Sequence, residues 1–212
     1  MLTFFDYLPS QNAFKVRLLL NHLQIPHRSE IISIFEGAGK TPEYRRINPT
    51  GAVPAILLAD GRALAESNAI LAYLAEASCY LPNDRFARAK VDQWLSFEQD
   101  YVQNTIGSLR YWVMTAKAHL RPKALVEAKR ASAASALAIL EHELSLRQFL
   151  CGDQYTIADM SIYAYASRAE EAAISLQPFK HFRAWVARVE SQHRFLKLVY
   201  PYSIDPYSAG EL

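Results

Sequence analysis

Hydrophobic positions change their spacing repeatedly along the N-terminal part of the chain. Leu2 to Phe5 is a short apolar run that reads as a strand. Val16, Leu19, Leu20 and Leu23 recur at helical spacing and predict a helix over 10–23, stopped by Pro26. The loosely alternating, isoleucine-rich stretch Arg28 to Ile34 predicts a second strand. Pro42, just after Thr41, suits the first turn of a short helix. Asn48-Pro49-Thr50-Gly51 is a turn, and Val53 to Leu58 is a third strand. Asp60-Gly61 then turns the chain into a fourth strand, Arg62 to Leu64. Ile70, Leu71 and Leu74 mark one side of a helix over 66–76. The predicted order is β-α-β-α-β-β-α, a small mixed sheet with helices on its faces.

Beyond this point the pattern is helical throughout. Pro82-Asn83-Asp84 reads as a linker end and helix cap. A long helix from Phe86 to about Lys117 carries Val91, Trp94, Leu95, Tyr101 and Val102. Pro122 opens an alanine-rich helix with Leu137, Leu140 and Leu144 on one face, and Pro178 opens another with Phe182, Trp185 and Val189. Thr156-Ile157-Ala158-Asp159 is a capping box, with Tyr155 and Met160 placed as a hydrophobic staple; its role is read as structural. The expected division is an α/β domain over 1–78 and an all-helical domain over 85–212.

Composition narrows the function. The 212 residues are 51% hydrophobic, enough for a core without disulfides or metals. Lysine plus arginine number 23 against 21 acidic residues, and the basic residues are scattered, which gives no case for nucleic acid. Cys79 and Cys151 form no CxxC, so neither a dithiol redox site nor a metal site is expected. The start lacks a signal peptide's basic region, and no apolar run approaches the ~20 residues that span a bilayer. A cytoplasmic protein without a membrane partner is the expectation.

Four segments stand out: Ser10-Gln11-Asn12-Ala13-Phe14-Lys15-Val16-Arg17, Asn48-Pro49-Thr50-Gly51-Ala52-Val53-Pro54, Glu66-Ser67-Asn68-Ala69-Ile70, and Gly152 to Asp159 with the capping box. In order and in register, they resemble the cytosolic glutathione transferases, in particular the theta-like and bacterial members with a serine in the first loop. The resemblance implies a thioredoxin-like N-terminal domain, an all-α C-terminal domain, glutathione as co-substrate, no metal, and a homodimer. It implies a transferase that joins glutathione to a small hydrophobic electrophile, or a glutathione-dependent reductase of peroxides or disulfides. The alternative is a non-catalytic binding or regulatory protein on the same fold.

The resemblance also assigns residues. Ser10, at a helix start, is the expected thiol partner. Asn12 on the same turn competes for that role, and Tyr7 is a third choice. A serine at a helix start also serves as a plain cap. Val53-Pro54 matches a cis-proline site whose Val53 backbone groups pair with the cysteinyl backbone. Glu66 and Ser67 are expected at the γ-glutamyl ammonium and carboxylate. Ala52 stands where the family often has lysine or glutamine for the glycyl carboxylate. Lys40 is a candidate replacement, with a solvated loop lysine as the alternative. The electrophile is expected between the domains, near Tyr111, Trp112 and Thr115, although aromatics at such spacing more often form core. Glu98 and Asp100 are weaker candidates to reach a partner subunit's glutathione.

Overall fold

The computed structural model describes residues 1–210. Contacts divide the chain into two compact units, one of residues 1–76 together with the segment from His193 onward, the other of residues 77–192.

The first unit contains β1 (Leu2–Asp6), α1 (Gln11–Leu23), β2 (His27–Ile31), α2 (Pro42–Ile47), β3 (Ala55–Leu57), β4 (Ala63–Ala65) and α3 (Ser67–Leu74). This is the β-α-β-α-β-β-α order read from the pattern. The strands lie in the order β2-β1-β3-β4, with β2 parallel to β1 and the remaining pairs antiparallel. Successive side chains of a strand point to opposite faces. Phe4 therefore packs with Val16, Leu20, Ile56 and Ile70 under α1 and α3, while Phe5 packs with Tyr44 and Ala55 under α2.

Local chemistry sets the element ends. Gln24 takes a left-handed conformation (φ 52°) and its N–H returns to Leu20 and Asn21 carbonyls, closing α1 before Pro26. β2 stops at Ile31, three residues short of the expected end. There the Ser33 hydroxyl accepts the Phe35 and Glu36 amides at 3.2 and 3.0 Å and turns the chain.

The second unit is helical: α4 (Arg85–Phe97), α5 (Ser108–Met114), α6 (Lys123–Leu146), α7 (Ile157–Ala166) and α8 (Lys180–Glu190). Asp84 caps α4 through the Ala87 amide at 2.8 Å. The expected long helix forms as one unbroken helical run, in which α4 and α5 are joined by a π-helical stretch, Glu98–Gly107, and which ends at Met114 rather than near Lys117. Within it Thr105 Oγ1 donates to the Tyr101 carbonyl, and Ser108 Oγ donates to Asn104 at 2.9 Å. The capping box forms as read. Asp159, fully buried, accepts from the Thr156 and Leu150 amides at 2.9 and 3.0 Å and from Trp185 Nε1 at 2.9 Å.

The expected domain 85–212 differs from the contact division at its end, where residues 193–210 pack with the first unit; residues 211 and 212 lie outside the described ones. Asn21 Nδ2 donates to the Arg194 carbonyl at 2.6 Å, and His22 Nδ1 meets the His193 carbonyl at 2.8 Å. Tyr202 stands beside Tyr7 and Phe35, and Ser33 Oγ donates to Asp205 Oδ2 at 2.6 Å. No helix among the described residues is long and apolar enough to cross a membrane.

Candidate active site

The sheet topology gathers the candidate residues at one end. β1 and β2 run parallel, so the connections leaving them, with Ser10 and Asn12 after β1 and Lys40 after β2, emerge at the same edge. β3 and β4 are antiparallel, with Ala55 opposite Ala65 and Phe5. Val53-Pro54, just before β3, and Glu66-Ser67, just after β4, therefore fall at that edge too.

Ser10 is the N-cap of α1, in extended backbone (φ −71°, ψ 123°). Its Oγ accepts the Ala13 amide at 3.2 Å. A hydroxyl has one proton and two acceptor positions, so capping leaves the O–H free to donate elsewhere. The two readings of Ser10, cap and thiol partner, are compatible. Asn12 is half-buried, and its Oδ1 accepts from Ser67 Oγ at 3.4 Å. The structure thus joins residues assigned to the thiol and to the γ-glutamyl group. Tyr7 is buried (2% exposed) among Phe35 and Tyr202.

The Val53–Pro54 peptide bond is cis. The preceding turn is held by Tyr44 Oη and Asn48 Nδ2, which both donate to the Ala52 carbonyl at 2.7 Å. Burial pushes the Tyr44 phenol up to about 12, so it stays a neutral donor. Lys40 is exposed and ends a short 3₁₀ turn, Ala38–Lys40. Gly39 of that turn lies directly against Gly51. This contact brings the Lys40 turn to the segment where Ala52 lacks a charge.

Glu66 is exposed, with φ 69° and ψ 114°, a conformation that costs a non-glycine residue of order 1–3 kcal/mol. It immediately precedes α3. Ser67, the first residue of α3, is buried (3% exposed). Lys15, one helical turn beyond Asn12, is fully buried and donates from Nζ to Ser67 Oγ at 3.4 Å.

Lys15 and Arg17 belong to the first motif, where spacing alone gives them no role. Arg17 Nη2 donates to the Leu8 and Ser10 carbonyls at 2.8 and 3.4 Å, and its Nε lies 3.2 Å from Asp6 Oδ2. Burial pushes the Asp6 carboxyl up, against the pull of Arg17. The signal for Arg17 was a basic residue on the helix after an acidic strand end. Tyr44 and the glycine pair carried no such signal.

A cavity of about 200 Å³ opens beside the first loop, walled by Tyr7, Leu8, Pro9, Ile31, Ile204 and Tyr207. In the second unit Tyr111 and Trp112 are half-buried, with Arg121 and Lys129 over the Trp112 ring. Thr115 is buried, and its hydroxyl donates to the Tyr111 carbonyl at 2.6 Å. Glu98 is fully buried, so its side chain does not reach the surface; Asp100 is exposed. No cluster of His, Cys, Asp and Glu able to hold a metal occurs among the described residues.

A four-stranded thioredoxin-like α/β unit, with a serine-capped helix start and a strained approach to α3 gathered at one end of its sheet, followed by a helical unit, places the chain in the class of proteins built on a thioredoxin-like fold with a helical second unit. Comparison agrees. Residues 9–77 match the glutathione S-transferase N-terminal domain and residues 107–193 the glutathione S-transferase C-terminal domain. Glutathione S-transferase theta-2 of Homo sapiens is 32% identical over 87% of this chain and 78% of its own. A possible glutathione S-transferase from Rhodopseudomonas palustris superposes with a TM-score of 0.90 at 34% identity, over 94% of this chain and 98% of its own. The disulfide-bond oxidoreductase YfcG of Escherichia coli is 26% identical over 88% of this chain and 89% of its own. The chain belongs to the glutathione S-transferase family.

Proposed function

We propose that this protein binds glutathione at the described sheet edge, ionises its thiol at the start of α1, and transfers the thiolate to a small hydrophobic electrophile. The observation that supports the reading is that the Ser10 hydroxyl caps α1 through its acceptor side, a role that leaves its proton available to a sulfur. A free thiol has a pKa near ~8.5, and only the thiolate is a good nucleophile. A hydrogen bond to a charged group contributes about 1.5–3 kcal/mol, one to two pKa units, and the helix start adds a favourable field. Together they make thiolate the main form near neutral pH.

The rest of the peptide follows from charge and backbone complementarity. Val53, just outside the β3 ladder, offers its N–H and C=O to the cysteinyl backbone. The first amides of α3 and the Ser67 hydroxyl receive the γ-glutamyl carboxylate, and Glu66 pairs with the ammonium. Lys40 answers the glycyl carboxylate in place of Ala52. The recess beside Pro9 takes the apolar body of the electrophile. The reading includes a homodimer and a cytoplasmic setting, where glutathione is kept reduced.

Similarity to a disulfide-bond oxidoreductase favours a second reading, glutathione-dependent reduction of disulfides. The test is retention on immobilised glutathione followed by parallel assays with a chloronitrobenzene and with a mixed disulfide. Retention with conjugation supports the first reading, and retention with reduction alone supports the second. Retention without either turnover assigns the protein to the non-catalytic class. Sedimentation at micromolar concentration checks the dimer.

A further inference from the structure

Lys15 is a charged side chain with no exposed surface, on the helix that starts the active site. A buried ammonium is unfavourable unless its surroundings compensate, and a methionine of similar length would fill a buried helix position at lower cost. Asn12 and Lys15 are three residues apart and share a face of α1. Ser67, from α3, bridges them. Its Oγ accepts from Lys15 Nζ at 3.4 Å and donates to Asn12 Oδ1 at 3.4 Å.

The chemistry of the hydroxyl gives this chain a direction. An ammonium has three donors and no acceptor, so Ser67 Oγ can only accept from it. The single Ser67 proton must then point away from Lys15, toward Asn12 Oδ1 or toward an anion at the start of α3. With Oδ1 engaged by Ser67, the two N–H donors of Asn12 face elsewhere.

We propose that Lys15 is a positioning residue that couples recognition of the γ-glutamyl carboxylate to activation of the thiol. It fixes Ser67 as a donor, and through Ser67 it sets the side-chain amide of Asn12, which lies two residues beyond Ser10 in the first turn of α1. The proposal rests on the glutathione reading above, and its test separates the two.

The experiment compares glutathione with its analogue lacking the α-carboxylate of the γ-glutamyl residue. It uses the full chain, calorimetry for affinity, and thiolate absorbance against pH for the bound thiol. Wild type is expected to prefer glutathione by at least about tenfold, the worth of one charge-assisted hydrogen bond. Lys15→Met is expected to erase that preference and to raise the bound thiol's pKa by about one unit. Lys15→Arg, which keeps charge and donors, is expected to retain most of both. Ser67→Ala carries the test if Lys15→Met does not fold. It should remove the preference and shift the thiol pKa, although Ser67 has no assigned contact with sulfur. A folded Lys15→Met with wild-type preference and pH profile overturns the proposal, as does Ser67→Ala with an unmoved thiol pKa. Wild type that binds neither peptide overturns the glutathione reading itself and this proposal with it.

Discussion

Gly39 and Gly51 meet backbone to backbone, so closely that a Cβ on either would collide with the carbonyl oxygen of the other. They are twelve residues apart, on the turn before α2 and the turn before β3. Their contact seats the Lys40 turn against the segment that leads into cis Pro54. A side chain at either position must push these turns apart. Gly39→Ala is expected to cost about 1–3 kcal/mol, as overpacking does, and to weaken glutathione binding. Lys40→Met should lower affinity several-fold without affecting urea stability, and the loss should shrink at high salt because the contact is exposed. Equal affinity of Lys40→Met and wild type at low salt would return Lys40 to the status of a solvated lysine.

The thiol partner is open to a direct comparison. Ser10→Ala removes both the cap and the proposed donor. It is expected to raise the pH at which bound thiolate appears by at least one unit and to lower stability by about 1 kcal/mol. Asn12→Ala leaves the cap intact and removes only the long 3.4 Å bond from Ser67, so its stability loss should be smaller than that of Ser10→Ala. A thiolate profile unchanged by Ser10→Ala and displaced by Asn12→Ala would transfer the role to Asn12.

His22 offers a pH test of the packing of the closing segment. Its Nδ1 lies 2.8 Å from the His193 carbonyl, an acceptor, so Nδ1 carries the proton. Burial pushes the His22 pKa below its usual value near 6.5, with the His193 carbonyl pulling the other way. The unfolded chain therefore binds a proton that the folded chain resists. The His22 contribution is complete above about pH 6.5 and declines as pH falls toward the lower folded value. Denaturant titrations should show lower stability at pH 5.5 than at pH 7.5, and His22→Asn, which keeps a donor without the titration, should reduce the difference. A slope unaffected by His22→Asn would assign the pH dependence to other groups.

In the second unit Asp159 collects donors from Thr156, Leu150 and Trp185. Burial pushes its carboxyl upward, while these donors pull it down. Asp159→Ala strands three buried N–H donors and also takes the acceptor from the Thr156 hydroxyl. At about 1–3 kcal/mol each, the loss should exceed roughly 3 kcal/mol and lower the melting temperature by about 6–12 °C. A drop of only a degree or two would mean that Leu150 and Trp185 find other acceptors.

The sequence alone determined what acts over short distances. Helical spacing located α1, α3, α6 and α8, the Asp60-Gly61 turn located the β3–β4 hairpin, and the capping box at Thr156 appeared as read, because these depend on neighbours within a few residues. The Ser10 cap was legible for the same reason. Tertiary structure alone decided the link from Lys15 through Ser67 to Asn12, because it spans two helices separated by β2, α2 and the hairpin. It also decided the approach of Gly39 to Gly51 and the placement of residues 193–210 with the first unit. That closing segment, expected to be part of the helical domain, holds only short 3₁₀ turns, Tyr202–Ile204 and Pro206–Gly210. What holds it is Tyr202 against Tyr7 and Phe35, with Ser33 on Asp205, and such contacts are written in three dimensions rather than in spacing.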